Sequence, residues 1–265
     1  MDNAGTMRVK DIIAYLNSFS QRSYRDEGLH YGNPNQEVKK AMVCWLANCD
    51  AIEYAGKMGV DLIISHESMF LPYDILNIGG VPDFLSWRSN RRKIEMLAKY
   101  SISVVRCHET LDELCIFEEL AAFLGLPAAV IDEPWLVKLY DIEEMEYGAL
   151  VDKVKSLFKL EHTRYTDGDP KRKVKRIGLP CGGLGLKGNI AYMQKLIDHG
   201  CDVLIAGESE NYSFNFMRDA GIDLIETSHE LTENPGLKKF CQRMADDLKN
   251  IEVIFFENKP PFVCR

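Results

Sequence analysis

Two hydrophobic periods trade places along the chain. In some segments apolar residues recur every three or four positions, which marks a helix with one buried face. Between them lie short runs of consecutive aliphatic and β-branched residues, the pattern of strands buried on both sides. MRVKDIIAYLNSF (7–19) predicts a first helix and KKAMVCWL (39–46) a strand. Residues 47–58 predict a helix, with Asn48 or Asp50 as its cap and Gly59 as its stop. DLIIS (61–65) predicts a buried strand, SNRRKIEMLAKY (89–100) a helix and SISVVRC (101–107) a strand. TLDELCIFEELAAFLG then reads as a helix ended by Gly125 and Pro127.

Residues 127–148 show no clear period and read as a connection between halves. Helix 145–158 follows, then LEHTRYTDGDPKRK as a strand and turn, then KRIGLPC (175–181) as a strand. NIAYMQKLIDHG, residues 211–220 and residues 235–249 predict helices. They alternate with strands DVLIA, DLIET (223–227) and EVIFFE (252–257). The alternation predicts an α/β fold.

An internal echo organises this pattern. GVDLIISHES (59–68) matches GCDVLIAGES (200–209) without a gap, and GIDLIETSHE (221–230) resembles both with one extra residue before its His–Glu pair. A helix-ending glycine, an aspartate, a buried strand and a polar pair form one βα unit. The echo predicts two similar α/β lobes from an internal duplication, residues 1–130 and 131–265, with a site in the cleft between them.

Polar clusters follow three of the strands, and in open α/β sheets ligands bind at that edge. Strand DLIIS delivers His66 and Glu67 between two serines; strand ISVVRC delivers His108 and, four residues on, Asp112; strand DLIET delivers His229 with Glu230, then Glu233. The H-x-x-x-D/E spacing puts an imidazole and a carboxylate on one helical face. Taken singly, such a pair is most simply a surface ion pair. Three of the chain's six histidines at strand exits beside carboxylates point to a divalent metal, and a donor set without thiolate favours Zn, Mn or Fe(II). His30, His162 and His199 lack that setting.

Other motifs carry less. CGGLGLKGN (181–189) is neither a Walker A loop nor G-x-G-x-x-G; it reads as a tight strand-to-helix turn or as a loop lining the mouth of a site. Glu208, which aligns with Glu67, reads as a carboxylate facing ligand or solvent. No G-x-S-x-G is present, which removes a serine hydrolase of that type. The eight cysteines contain no C-x-x-C and read as small buried hydrophobes. A net charge of −8 argues against non-specific nucleic-acid binding. With no signal peptide and no apolar run of membrane-spanning length, the expected location is the cytoplasm.

At these motifs the sequence resembles the Nif-three-like family, also called dinuclear metal centre hexameric proteins, some of whose members carry the name GTP cyclohydrolase I type 2. DEGLHYGNPNQEV resembles the family's D-N-x-G-L-x-x-G-(D/N)-P-x-x-x-V, and DLIISHESMF its D-L-I-I-x-H-H-P-L-F. SVVRCHETLD, DGDPKRKVKRIGLPCGGLG and SHELTENPGLKKF resemble three further family segments, so the resemblance spans nearly the whole chain. It implies two divalent metal ions (Zn, Mn or Fe) per subunit, held by His66, Glu67, Asp112, His229 and Glu233. His108 matches the family histidine four residues before the aspartate. His108 and Glu67 are the candidates for catalytic proton handling.

The resemblance also implies a ring-shaped homohexamer and a metal-dependent hydrolase that activates water toward a small molecule, with a nucleotide as the candidate. The alternative is a metal-binding assembly or regulatory protein without turnover. A third reading, a nucleotide-binding α/β protein using CGGLG, predicts cofactor binding that survives chelation. The chain departs from the family at Glu67, where the motif has a second histidine, at Glu109-Thr110, and at Gly207-Glu208.

Overall fold

The computed structural model describes residues 6–24, 26–72 and 83–263. In chain order the strands are β1 (Gly28–Tyr31), β2 (Lys40–Leu46), β3 (Leu62–Glu67), β4 (Ser103–Arg106), β5 (Ile131–Glu133), β6 (Val137–Glu146), β7 (Lys173–Gly178), β8 (Val203–Ala206), β9 (Asp223–Glu226) and β10 (Glu252–Phe256). The helices are α1 (Val9–Asn17), α2 (Cys49–Lys57), α3 (Arg88–Tyr100), α4 (Glu109–Leu111), α5 (Phe117–Phe123), α6 (Tyr147–Leu157), α7 (Ile190–Asp198), α8 (Asn211–Ala220) and α9 (His229–Asp247).

The fold is α/β, with two five-stranded sheets. The chain divides into two compact units, 1–115 with 237–258 and 116–236 with 259–265. These units differ from lobes 1–130 and 131–265 in two respects: residues 116–130 lie with the second unit, and 237–258 lie with the first.

In the first unit the sheet order is β1-β4-β3-β2-β10. β10, β2, β3 and β4 run parallel, and β1 lies antiparallel on β4. The aliphatic runs are explained by burial: Met42, Ile63 and Val104 pack with Ala51, Ile52, Ala55 of α2 and Leu97 of α3. Asn48 is the cap of α2, its Oδ1 accepting from the Ala51 N–H at 2.9 Å.

The second unit has the order β5-β6-β7-β8-β9, with β7, β8 and β9 parallel and β5 and β6 antiparallel. Its core joins Val137 and Leu139 of β6 to Leu204, Leu224, Met193 and Met217.

The sequence echo has the same local geometry in both units. Asp61 Oδ2 accepts the backbone N–H groups of Lys39 and Lys40, at 2.8 and 3.0 Å. Asp202 Oδ2 accepts those of Lys175 and Arg176, both at 2.8 Å. The glycines two residues before them, Gly59 and Gly200, have φ of 65° and 78°, the left-handed region that ends a helix cheaply only at glycine.

Three expectations are corrected, and one strand, β1, is added. Residues 127–148 are not an irregular connection; they contain the β5–β6 hairpin. Its turn puts Trp135 and Leu136 at φ of 68° and 63°, a conformation for which the sequence offers no glycine signal. The strand expected after residue 160 is an extended segment with a single bridge, Tyr165 to Ile225, joined to β9 by two backbone hydrogen bonds, Thr166 N–H to the Leu224 carbonyl and Glu226 N–H to the Arg164 carbonyl. β1 has only four residues, too few for a readable period. α9 begins at His229, not near 235, and carries Pro235 inside it. Its first turns bury Thr232, Glu233 and Asn234, so no apolar stripe announces them.

Seven cysteines among the described residues are free thiols, six of them buried, and Cys264 lies outside the described residues. Burial pushes the Cys201 thiol up to about 12 and that of Cys241 to about 11, so neither is a reactive thiolate near neutral pH. No described helix is long and apolar enough to cross a membrane.

Candidate metal centre

In the first unit the donors are delivered by two neighbouring parallel strands. His66 and Glu67 are the last residues of β3. Ser65 of β3 pairs with Arg106, the last residue of β4, so His108 and Asp112 follow at the same sheet edge. Between α4 and α5 the helix widens into a π turn over Asp112–Ile116, a feature that recurs at functional sites.

His66 is fully buried, and its Nδ1 lies 3.2 Å from the Cys107 carbonyl. That contact sets Nδ1 as the protonated nitrogen and turns Nε2 toward Asp112, whose Oδ1 is 3.6 Å away. His108 Nε2 lies 3.5 Å from Glu67 Oε1 and 3.8 Å from Asp112 Oδ2. Donor atoms of His66, His108 and Asp112 all lie within 4.8 Å of one another. Two imidazoles and a carboxylate converging at a mostly buried point fit a first-row divalent ion.

Arg106 is buried behind this group. It donates from Nε to the His66 carbonyl at 3.1 Å, from one terminal nitrogen to Glu67 Oε2 at 3.3 Å, and from the other to Asp26. Asp26 also lies 3.5 Å from His108 Nδ1. Glu27 accepts the N–H groups of His108 and Thr110 and the Thr110 hydroxyl, at 2.8, 2.9 and 2.7 Å. It therefore caps α4 from a remote segment and fixes the loop that carries His108.

The charges here favour a cation. Burial alone pulls the His108 pKa down, but Asp26, Glu67 and Asp112 together hold it well above the usual imidazole value. The same contact with His108, helped by Arg106 against the cost of burial, holds the Asp26 carboxyl below its ordinary range. Without a metal ion, His108 answers these carboxylates by keeping a proton.

The second unit presents its own pair. His229 opens α9, and Glu233 lies one turn on, with His229 Nε2 to Glu233 Oε1 at 3.2 Å. The i, i+4 spacing thus places both donors on one face, as in the His108–Asp112 pair. On the other side of the ring, His229 Nδ1 lies 3.1 Å from Glu208 Oε2.

The glycine-rich run packs directly on this pair. A Cβ at Gly182, where φ is +55°, would sit 1.9 Å from Glu233 Oε1 and 2.9 Å from His229 Nε2. A Cβ at Gly183 would be 3.2 Å from His229 Cε1. Gly182 N–H donates to Thr232 Oγ1 at 3.0 Å, which ties the loop to α9. The glycines permit backbone to approach the His229 and Glu233 side chains closely.

All six candidate residues therefore lie in polar clusters: His66, Glu67, His108 and Asp112 in one unit, His229 and Glu233 in the other. The sequence reading did not single out Asp26, Glu27 or Arg106. The DEGLHYG motif that carries the first two offered a signal; Arg106, inside a strand, offered none. His199, outside the clusters, lies 3.3 Å from Glu133 at the end of α7.

The model of the Duf34/NIF3 (NGG1p interacting factor 3) family matches residues 7–261. A protein of Lactococcus lactis named GTP cyclohydrolase 1 type 2 homolog is 26% identical over 258 residues, covering 93% of each chain. One of the same name from Neisseria meningitidis serogroup B is 24% identical over 261 residues, covering 95% of this chain and 98% of its own. The crystal structure of a Bacillus cereus protein related to NIF3 superimposes with a TM-score of 0.80 at 15% identity, covering 98% of this chain and 100% of that one. The chain belongs to the Duf34/NIF3 family.

Proposed function

We propose that the chain binds two divalent metal ions through His66, Glu67, Asp112, His229 and Glu233, and that it is a metal-dependent hydrolase acting on a small molecule, with a nucleotide as the leading class. The observation that carries this reading is the convergence of His66, His108 and Asp112 donor atoms within 4.8 Å. His108 is placed to serve as a third donor beside His66 and Asp112, a use that the sequence reading did not give it. The names of the relatives support the nucleotide class. A cytoplasmic homohexamer belongs to the same proposal.

When bound, the ions supply Lewis-acid activation of water and substrate. The chain's residues do the rest. The Cys107 carbonyl and Glu208 fix the tautomers of His66 and His229. Glu67, 3.5 Å from His108, gives the site a carboxylate–imidazole pair that can hold or pass a proton. The test is metal-supplemented turnover of a nucleotide panel. Glu233→Ala is expected to lose metal and turnover together; activity that survives the loss of metal would reject the reading.

One observation favours metal binding without turnover. Glu67 stands where the family motif has histidine, and Arg106 already ion-pairs it at 3.3 Å. A carboxylate so engaged is a weaker ligand for a second ion. Metal uptake with no substrate consumed would select this reading.

A further inference from the structure

Beside the His229–Glu233 pair, two segments are fastened together. Gly185 and Ser209 form a parallel bridge, and the Ser209 hydroxyl donates to the Gly185 carbonyl at 3.1 Å. The Lys187 N–H donates to Glu210 Oε1 at 2.8 Å. The join brings two exposed side chains face to face: Lys187 Nζ lies 4.9 Å from the centre of the Tyr212 ring, and Tyr212 is 69% exposed. Most of the Tyr212 ring is open to solvent beside an ammonium group, so an aromatic platform and a cation lie side by side at the surface.

Both residues are near the metal-ligand pair along their own segments. Tyr212 follows Glu208, which touches His229, by four residues; Lys187 follows Gly183, which packs on His229, by four. Four residues span at most about 14 Å, within the length of a nucleoside triphosphate.

We propose that Tyr212 and Lys187 form the recognition rim for a nucleotide, Tyr212 stacking on the base and Lys187 meeting a phosphate oxygen, with the reacting end of the ligand toward His229 and Glu233. The proposal rests on the metal-centre reading above and names its substrate contacts. A planar heteroaromatic ring carrying an anion satisfies both side chains at once. Glu208 and Glu210 disfavour an anion in the metal-free protein, so tight binding requires the metal-loaded one.

The test is equilibrium binding of GTP, guanosine and inorganic triphosphate to the metal-loaded full chain, with metal content measured on every sample. Tyr212→Ala is expected to weaken GTP and guanosine about tenfold, with Tyr212→Phe near the parent. Lys187→Gln is expected to weaken GTP and triphosphate severalfold and leave guanosine unchanged. Every variant is expected to hold the parent's metal content. Parent-like GTP binding by Tyr212→Ala and Lys187→Gln overturns the rim, as does a metal-loaded parent that binds no GTP, and either result leaves the metal reading standing. If the parent takes up no metal, the metal reading fails, and the rim is judged on guanosine alone: weakening by Tyr212→Ala retains it, and no weakening overturns it.

Discussion

Glu208 Oε2 lies 3.1 Å from Nδ1 of His229, while the other ring nitrogen faces Glu233 at 3.2 Å. A carboxylate behind a ligand histidine fixes its tautomer and raises its basicity. Glu208→Ala is therefore expected to lower metal affinity about 10- to 100-fold while the fold is kept, because Glu208 is half exposed. Chelator competition measures the affinity, and circular dichroism checks the fold. Unchanged affinity would mean that the contact does not orient the ring.

Gly182→Ala tests the close approach from the opposite side. The new methyl would meet Glu233 Oε1 and His229 Nε2, and the left-handed backbone adds a cost of about 1–2 kcal/mol. Less metal per chain and a lower melting temperature are expected together. A parent-like metal content would show that the loop can move away from the ligand pair.

The metal-free protein is expected to depend on pH through Asp26 and His108. The Asp26 pKa is lowered on folding, so its contribution is present above its ordinary 3.8 and is lost as pH falls through the folded value. The His108 pKa is raised, so its contribution is full below its ordinary 6.5 and is lost as pH rises through the folded value. The pair therefore stabilises most between about pH 4 and 6.5. Thermal melts of chelator-treated protein are expected to lose part of their decline above that window in His108→Gln. The same decline in parent and variant would show that His108 does not carry it.

Asp61 holds two backbone N–H groups at the start of β2, and Asp202 holds two within β7. Asp61→Ala and Asp202→Ala are each expected to cost about 1–3 kcal/mol, measured by urea unfolding. A cost confined to one of them would separate the two halves of the echo.

These aspartates show why much of the fold was legible. Gly-x-Asp before a buried strand is a local rule: the glycine ends a helix, the aspartate fastens the neighbouring strand, and the aliphatic run follows. The candidate histidines were legible for a similar reason, since each lies at or just past the C-terminal end of a strand: His66 within β3, His108 two residues after β4 and His229 three after β9. What escaped was nonlocal. Arg106 sits inside a strand, and only the sheet register and the return of Asp26 show that its guanidinium backs the site. The start of α9 escaped because its first turns bury polar groups against the glycine loop.

Counting divalent metal per chain after loading and dialysis decides whether the two clusters hold metal. Two equivalents are expected in the parent, or one that rises to two in Glu67→His, and a loss in Glu233→Ala. A parent that retains no divalent metal under these conditions would contradict the metal reading.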